Sequence, residues 1–361
     1  MEFAFKPDYE PTRQRIEAFW ENDLLDRPLV SIPVPKPINE QVEQPVSNHV
    51  SCEDRWMDAQ FQAESALATL SNTQFLGDAL PIVYPNLGPE VFSSFYGCTL
   101  HFGDYGTSWS DPCLEDWSKV DELSLNWDSI YMKKLIEMTD ALLEIGRDKF
   151  IVALTDFHPG GDALAAFRDP AELAMDMKLH PNEVKKLLLR VEADYFAVYD
   201  FFYHKLRDAG QPITAWMPLV SEGKFYIPSN DFSIMVSKKM YDEIFLPGMI
   251  NEIRFYDRSI YHLDGPGALR HLDSILSIKE LNALQWVPGA GNEGFTRWIE
   301  VYQKVQAAGK GIQVSCGVNE IEDIMKYVSP RGLLLQVGGV AHMDTAENIL
   351  REMERWAKKC R

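Results

Sequence analysis

Short apolar runs rich in β-branched and aromatic residues alternate along this chain with longer stretches whose apolar positions recur every three or four residues. That alternation predicts successive βα units and a parallel sheet. The extended runs fall at 28–34, 80–84, 150–155, 213–217, 259–262, 283–287, 311–315 and 332–337. Eight such runs predict an α/β fold of the (β/α)8 TIM-barrel type, with an N-terminal extension and long loops at its mouth. No linker, repeat of fixed period or low-complexity stretch divides the sequence, so residues 1–361 are expected to form a single domain.

The later helices read most clearly. Val184, Leu187, Leu188, Val191 and Tyr195 share one face of a helix expected over 181–202, and the same periodicity predicts helices over 295–308, 320–327 and 345–359. Residues 35–130 differ, being rich in Pro, Gly and aromatics, and are expected to be loops and helices around the mouth.

In such a fold the residues just beyond each strand converge on one opening. After the third run come Asp156, His158 and Asp162 in a Gly-rich stretch, and Trp216 ends the fourth. The fifth carries His262 and Asp264, the sixth Trp286 followed by Glu293, the seventh Cys316 and the eighth Gln336. His262 and Asp264 stand two apart on an extended segment, so both side chains are expected to face one cavity. Imidazole, carboxylate and a nearby thiolate are zinc donors, which makes His262, Asp264 and Cys316 one candidate ligand set. Acid–base chemistry by His262, Asp264, Asp156 and His158 is the other reading. Asp264 capping the next helix through Gly265-Pro266-Gly267 is the purely structural alternative. Asp231 stands over the pocket or caps the helix expected near 238–244, while Trp216, Trp286, Asp231, Glu293 and Gln336 are candidates for binding substrate. His271 and Asp273 repeat the His-Leu-Asp spelling in a stretch expected to be helical, where they read as a surface pair.

The formal charge of −19 opposes phosphate backbones and anionic membranes, so neither nucleic acid nor a membrane is an expected partner. Five scattered cysteines without a CxxC, and an N-terminus without a basic start and apolar run, predict reduced thiols and a cytoplasmic location. No P-loop, GxSxG or HExxH occurs. Asp156-Phe157-His158-Pro159-Gly160-Gly161 spells D-x-H-x-x-G, a pattern similar to one that ligates cobalamin, but the companion motifs of that fold are absent. Direct cobalamin binding by this chain is therefore not expected.

Phe19-Trp20, Asp26-Arg27-Pro28, Leu246-Pro247, Tyr261-His262-Leu263-Asp264-Gly265 and the closing Gly332-Leu333-Leu334, Gly338-Gly339 and Thr345-Ala346-Glu347-Asn348-Ile349 resemble the uroporphyrinogen decarboxylase superfamily. The likeness is strongest from about residue 145 onward, in a subgroup with His262-Leu263-Asp264-Gly265-Pro266-Gly267 and Gln285-Trp286-Val287-Pro288-Gly289-Ala290-Gly291. The resemblance implies a (β/α)8 barrel and a small-molecule enzyme, with a homodimer by analogy. It implies either a methyltransferase or demethylase component working with a separate corrinoid protein, or a cofactor-free decarboxylase (lyase) of a non-porphyrin acid. A ligand-binding barrel without catalysis is the third reading. Superfamily methyltransferases hold zinc through His-x-Cys and a later Cys. Here His262 matches the histidine, Asp264 stands in place of the first cysteine, and Gln336-Val337-Gly338-Gly339 lacks the second, so either Cys316 substitutes or the site does different chemistry.

Overall fold

The computed structural model describes residues 3–103 and 106–360. Its strands are β1 (Leu29–Pro35), β2 (Thr73–Gly77), β3 (Ile82–Val83), β4 (Leu100–Phe102), β5 (Ser108–Ser110), β6 (Ile151–Val152), β7 (Phe225–Tyr226), β8 (Arg258–Asp264), β9 (Ala283–Val287), β10 (Gly311–Gly317) and β11 (Leu333–Gly338). Seven of them form one sheet in the order β2-β1-β11-β10-β9-β8-β7. Every pairing in it is parallel except β1 with β2. β3 and β6 pair in parallel as a separate ribbon, and β4 and β5 make an antiparallel hairpin. The architecture is α/β, with helices between successive parallel strands.

Strands buried on both faces need continuous apolar runs, and Leu333, Leu334 and Leu335 or Ala283 and Leu284 are such runs. The expected extended run at 213–217 is the exception. Thr214 Oγ1 donates to Leu219 O at 2.6 Å and the chain doubles back, so only a bridge from Ile213 to Ser221 remains. β2 has no counterpart among the expected runs; residues 73–76 are only half buried because the strand lies antiparallel on the sheet edge. β7 is two residues long, too short for its periodicity to be read. The long helix Pro181–Asp208 extends the expected one by six residues and buries Val184, Leu187, Val191, Tyr195, Val198, Tyr199 and Phe202 along one side. Its proline in the first turn lacks only an N–H that has no helical partner there. Among the described residues, no helix is long and apolar enough to cross a membrane.

An ionic knot fastens the N-terminal part to the sheet. Asp78 is fully buried and accepts hydrogen bonds from the Arg27 guanidinium, from Arg15 Nη1 at 3.2 Å and from the backbone N–H of Val30 at 2.9 Å. Arg15 also grips Asp26 through two hydrogen bonds of 2.7 and 2.8 Å. The Asp26-Arg27-Pro28 segment is thus a structural clasp at the start of β1. Replacing Asp78 by Ala would strand Arg27, which is 5% exposed, without its counter-charge. Removing one partner of a buried pair costs about 3–5 kcal/mol. Urea unfolding of Asp78→Ala should show a loss of that size; an unchanged midpoint would mean the clasp is dispensable.

Candidate functional site

The segment after β6 carries the first part of the site. His158 adopts φ +44°, a sharp backbone turn uncommon for a residue with a side chain. Gly161 opens the helix Gly161–Arg168 and leaves room for Asn230, whose side-chain oxygen lies 2.7 Å from where a Cβ on Gly161 would sit. In the next position Asp162 accepts the backbone N–H groups of Asp231 at 3.1 Å and Phe232 at 2.7 Å. Asp162 therefore holds the first turn of the 3-10 helix Asp231–Met235, satisfying donors that a helix start leaves open. Asp231 is not a cap: Ser237 caps the helix at Lys238, and the Asp231 carboxylate is left to the pocket.

His158 lies between carboxylates. Its Nε2 is 2.9 Å from Asp156, and its Nδ1 is 3.4 Å from Asp162 and 3.9 Å from Asp231. Burial disfavours the charged ring, but the charge and hydrogen bond of Asp156, followed by those of Asp162, raise its pKa well above the usual histidine value. These carboxylates favour the imidazolium form. Asp231 shifts the other way from a normal acid: desolvation and the Asp162 charge push it up to about 6, against the smaller opposing pull of His158 and His262. A cavity of about 360 Å³ opens here, lined by Glu90, Ser93, His158, Asp162, Asp231 and Phe232 among others.

The second part comes from β8 and β9. Their register pairs His262 with Gln285, and Gln285 Oε1 accepts from His262 Nδ1 at 2.6 Å. An amide oxygen only accepts, so Nδ1 carries a hydrogen, and a neutral ring then offers its lone pair at Nε2. Asp264, two residues on, does not cap the following 3-10 helix, and its Oδ1 is buried with no hydrogen-bond partner. Asp231, His262 and Asp264 place one donor atom each within 4.8 Å of one another, and so do His158, Asp162 and Asp231. Asp231 belongs to both groups. In the second group both ring nitrogens of His158 face carboxylates and the ring is cationic, so its positive charge is already present. The group with His262 offers one imidazole and two carboxylates, a set suited to a divalent metal with nitrogen and oxygen ligands.

The remaining candidates divide. Trp216 stands edge-on to the His262 ring at 6.3 Å and so borders the site. Trp286 follows Gln285 on the strand, and the two side chains therefore point to opposite faces; Trp286 packs edge-on against Trp298 at 5.0 Å, away from His262. Gln336 accepts from Gln313 Nε2 at 2.7 Å, within a polar row along the sheet that also takes in Ser315. Glu293 is exposed and accepts from the nearby Gly291 N–H in a turn. Cys316 is buried on β10, where desolvation and then Glu320 push its thiol up to about 12, and it belongs to neither group of potential metal ligands among the described residues. Asp231 takes the third place instead. His271 is not a surface residue: it is fully buried, stacked on Tyr241 at 4.4 Å with Nε2 bonded to Ser233 O, while Asp273 is exposed and paired with Lys304. The role of Gln285 went unassigned from the sequence, although its place in strand register opposite His262 was the available signal.

The whole chain superposes on a solved structure, a methyltransferase from Methanosarcina mazei, with a TM-score of 0.63, covering 98% of this chain and 99% of that one. At 11% identity the likeness is one of fold. No family model and no curated protein matches the sequence.

The raised Asp231 pKa has a stability consequence with a definite sign. Between the ordinary value near 3.8 and about 6 the folded metal-free protein binds more protons than the unfolded chain, so rising pH destabilises it across that window. Asp231→Asn should remove this loss and leave chelator-treated protein more stable at pH 7.5, by roughly 1 kcal/mol once screening at its partly exposed carboxylate is allowed for. Denaturant melts of both proteins at pH 4 and pH 7.5 check it. A gap that does not widen toward pH 7.5 would contradict the assignment.

Proposed function

We propose that this chain is a small-molecule enzyme of the transferase class, which moves a methyl group in concert with a separate corrinoid protein. We also propose that its strands close into a (β/α)8 barrel. That closure is supported on one side of the β3–β6 ribbon, where Leu154 N, just beyond β6, donates to Thr214 O at 2.9 Å. The likeness of fold to the methanogen protein supports the class of reaction.

The observation that carries the reading is Asp264 Oδ1, a buried acceptor without a donor in the cluster that Asp264 forms with His262 and the Asp231 carboxylate. A buried acceptor left unpaired is costly, and a cation removes that cost. Zinc held by Asp231, His262 and Asp264 would supply a positive charge that lowers the pKa of a thiol or hydroxyl bound beside it. Gln285 fixes the His262 tautomer and ring orientation, and Trp216 limits the space on one side of the ring. His158, kept charged by Asp156, faces the same Asp231 and is placed to donate a proton or to hold an anionic group of the substrate.

The His158 cation is also the observation that favours a second reading, a cofactor-free lyase. There it binds the carboxylate of a small acid, while Asp264 or Asp156 stabilises positive charge that develops during decarboxylation.

Elemental analysis after zinc loading and washing should give one zinc per chain, strongly reduced in His262→Ala and Asp264→Ala. Gln285→Leu should weaken affinity about 10- to 100-fold, because it removes only the orienting partner. The loaded wild type should demethylate free methylcobalamin with a thiol acceptor, followed by absorbance, and His262→Ala should lose most of that rate. Zinc retained by both Ala variants would refute the ligand assignment. Absence of zinc together with release of CO2 from a small carboxylic acid would shift the function to the lyase.

A further inference from the structure

Behind the wall of the cavity lies a pair of side chains that this chemistry does not use. Cys98 precedes β4 and Cys113 follows β5, so they stand on the two legs of the hairpin. Their sulfur atoms are 2.8 Å apart. Cys98 is 1% exposed and Cys113 is partly exposed. The legs are already joined by Asp111 N to Thr99 O at 3.0 Å and by the β4–β5 ladder. Both cysteines also abut the helix Gly161–Arg168: Cys98 Sγ lies 3.8 Å from Ala166 O, and Cys113 N donates to Phe167 O at 3.0 Å. Ala165 and Ala166 line the cavity that contains His158 and Asp231.

We infer that Cys98 and Cys113 form a reversible thiol–disulfide site, an intrachain pair at the base of the hairpin. The backbone already brings the two sulfurs together, so the bond needs little rearrangement. The remaining three cysteines are elsewhere: Cys52 on the helix Cys52–Trp56, Cys316 on β10 and Cys360 at the end of the last helix. Cys113 is the entry point because it is the more exposed of the pair. The Cys98 S–H donates to its sulfur and favours the thiolate there, while Cys98 itself is held protonated.

With glutathione disulfide as oxidant, the Cys113 thiolate attacks one sulfur of the small disulfide and expels one glutathione thiolate, which takes up a proton. Cys98 then loses its proton and attacks Cys113 Sγ, breaking the mixed disulfide and releasing the second glutathione. Two protein thiols and one glutathione disulfide become one protein disulfide and two glutathione thiols. The closed link ties together the chain segment that holds the hairpin against the cavity wall, and constrains the unfolded chain.

The test uses the full chain, fully reduced and then equilibrated with glutathione disulfide, acid-quenched, unfolded and alkylated. Intact mass should show two fewer alkylation adducts than the reduced control, with peptide mapping joining Cys98 to Cys113. The oxidised protein should melt a few degrees higher, and dithiothreitol should reverse both changes. In Cys113→Ser, Cys98 should stay fully alkylatable after unfolding and the rise in Tm should be absent. All five cysteines alkylated across the oxidant series, a crosslink through Cys52, Cys316 or Cys360, or a lower Tm on oxidation would each overturn the inference. None of these readouts depends on which reaction the cavity supports.

Discussion

Four carboxylates gather around two histidines, and their mutual repulsion is the constraint around which the local structure is arranged. Asp156 and Asp162 share one segment while Asp231 and Asp264 come from two others far along the chain, yet Asp231 is close to all the others' charges or to the histidines that answer them. In a partly dry cavity such charges are tolerated only if they are paired, hydrogen-bonded or protonated. The protein uses all three means on one side. His158 is charged between Asp156 and Asp162, Asp162 also accepts two backbone N–H groups, and the pKa of Asp231 rises toward neutrality. On the other side the compensation is incomplete: Asp264 has a buried oxygen without a donor, close to donor atoms of His262 and Asp231. The difference between the two sides is the reason for proposing a cation at one group and not at the other.

The scaffold supplies that arrangement through register. On β8, β9 and β10 the residues His262, Gln285 and Gln313 stand side by side, each at the same level of the sheet. The first two are joined by a hydrogen bond, and Gln313 reaches Ser315 and Gln336 in turn. A slip of one residue in any of these strands would turn its side chain to the opposite face and break the row. The buried clasp of Arg27 and Asp78 acts at a distance from this row, at the start of β1, which is itself paired with β11 and hence with the strand that carries Gln336.

The α/β class, the order of the later strands and the helices between them were legible because long periodic segments carry strong local signals. The part before residue 220 was less so. There, apart from β1, the strands at the expected runs are two residues long or replaced by a bridge, and tertiary hydrogen bonds such as Thr214 to Leu219 decide the backbone path. At the site, His262 with Asp264 and Asp156 with His158 were legible from alternation and from position after a strand. Trp286 was misread because its strand face was not assigned along with that of Gln285. Cys316 reads as a ligand from its chemistry and its place at a strand end, whereas distance favours Asp231, whose placement depends on Asp162 holding its turn from another segment. His271 could not be told from a surface residue by local periodicity, since its burial arises from stacking on Tyr241.

The most direct test of the central claim is X-ray absorption fine structure at the zinc edge on the zinc-loaded full-length protein. Nitrogen and oxygen ligands lie at about 2.0–2.2 Å from zinc and thiolate sulfur at about 2.3 Å. The account predicts a first shell of nitrogen and oxygen only, with the outer-shell signal of a single imidazole from His262. A sulfur shell would bring Cys316 into the site, and two imidazoles would bring in His158. Either result would contradict the division of the carboxylates into one group answered by an imidazolium and one answered by a metal.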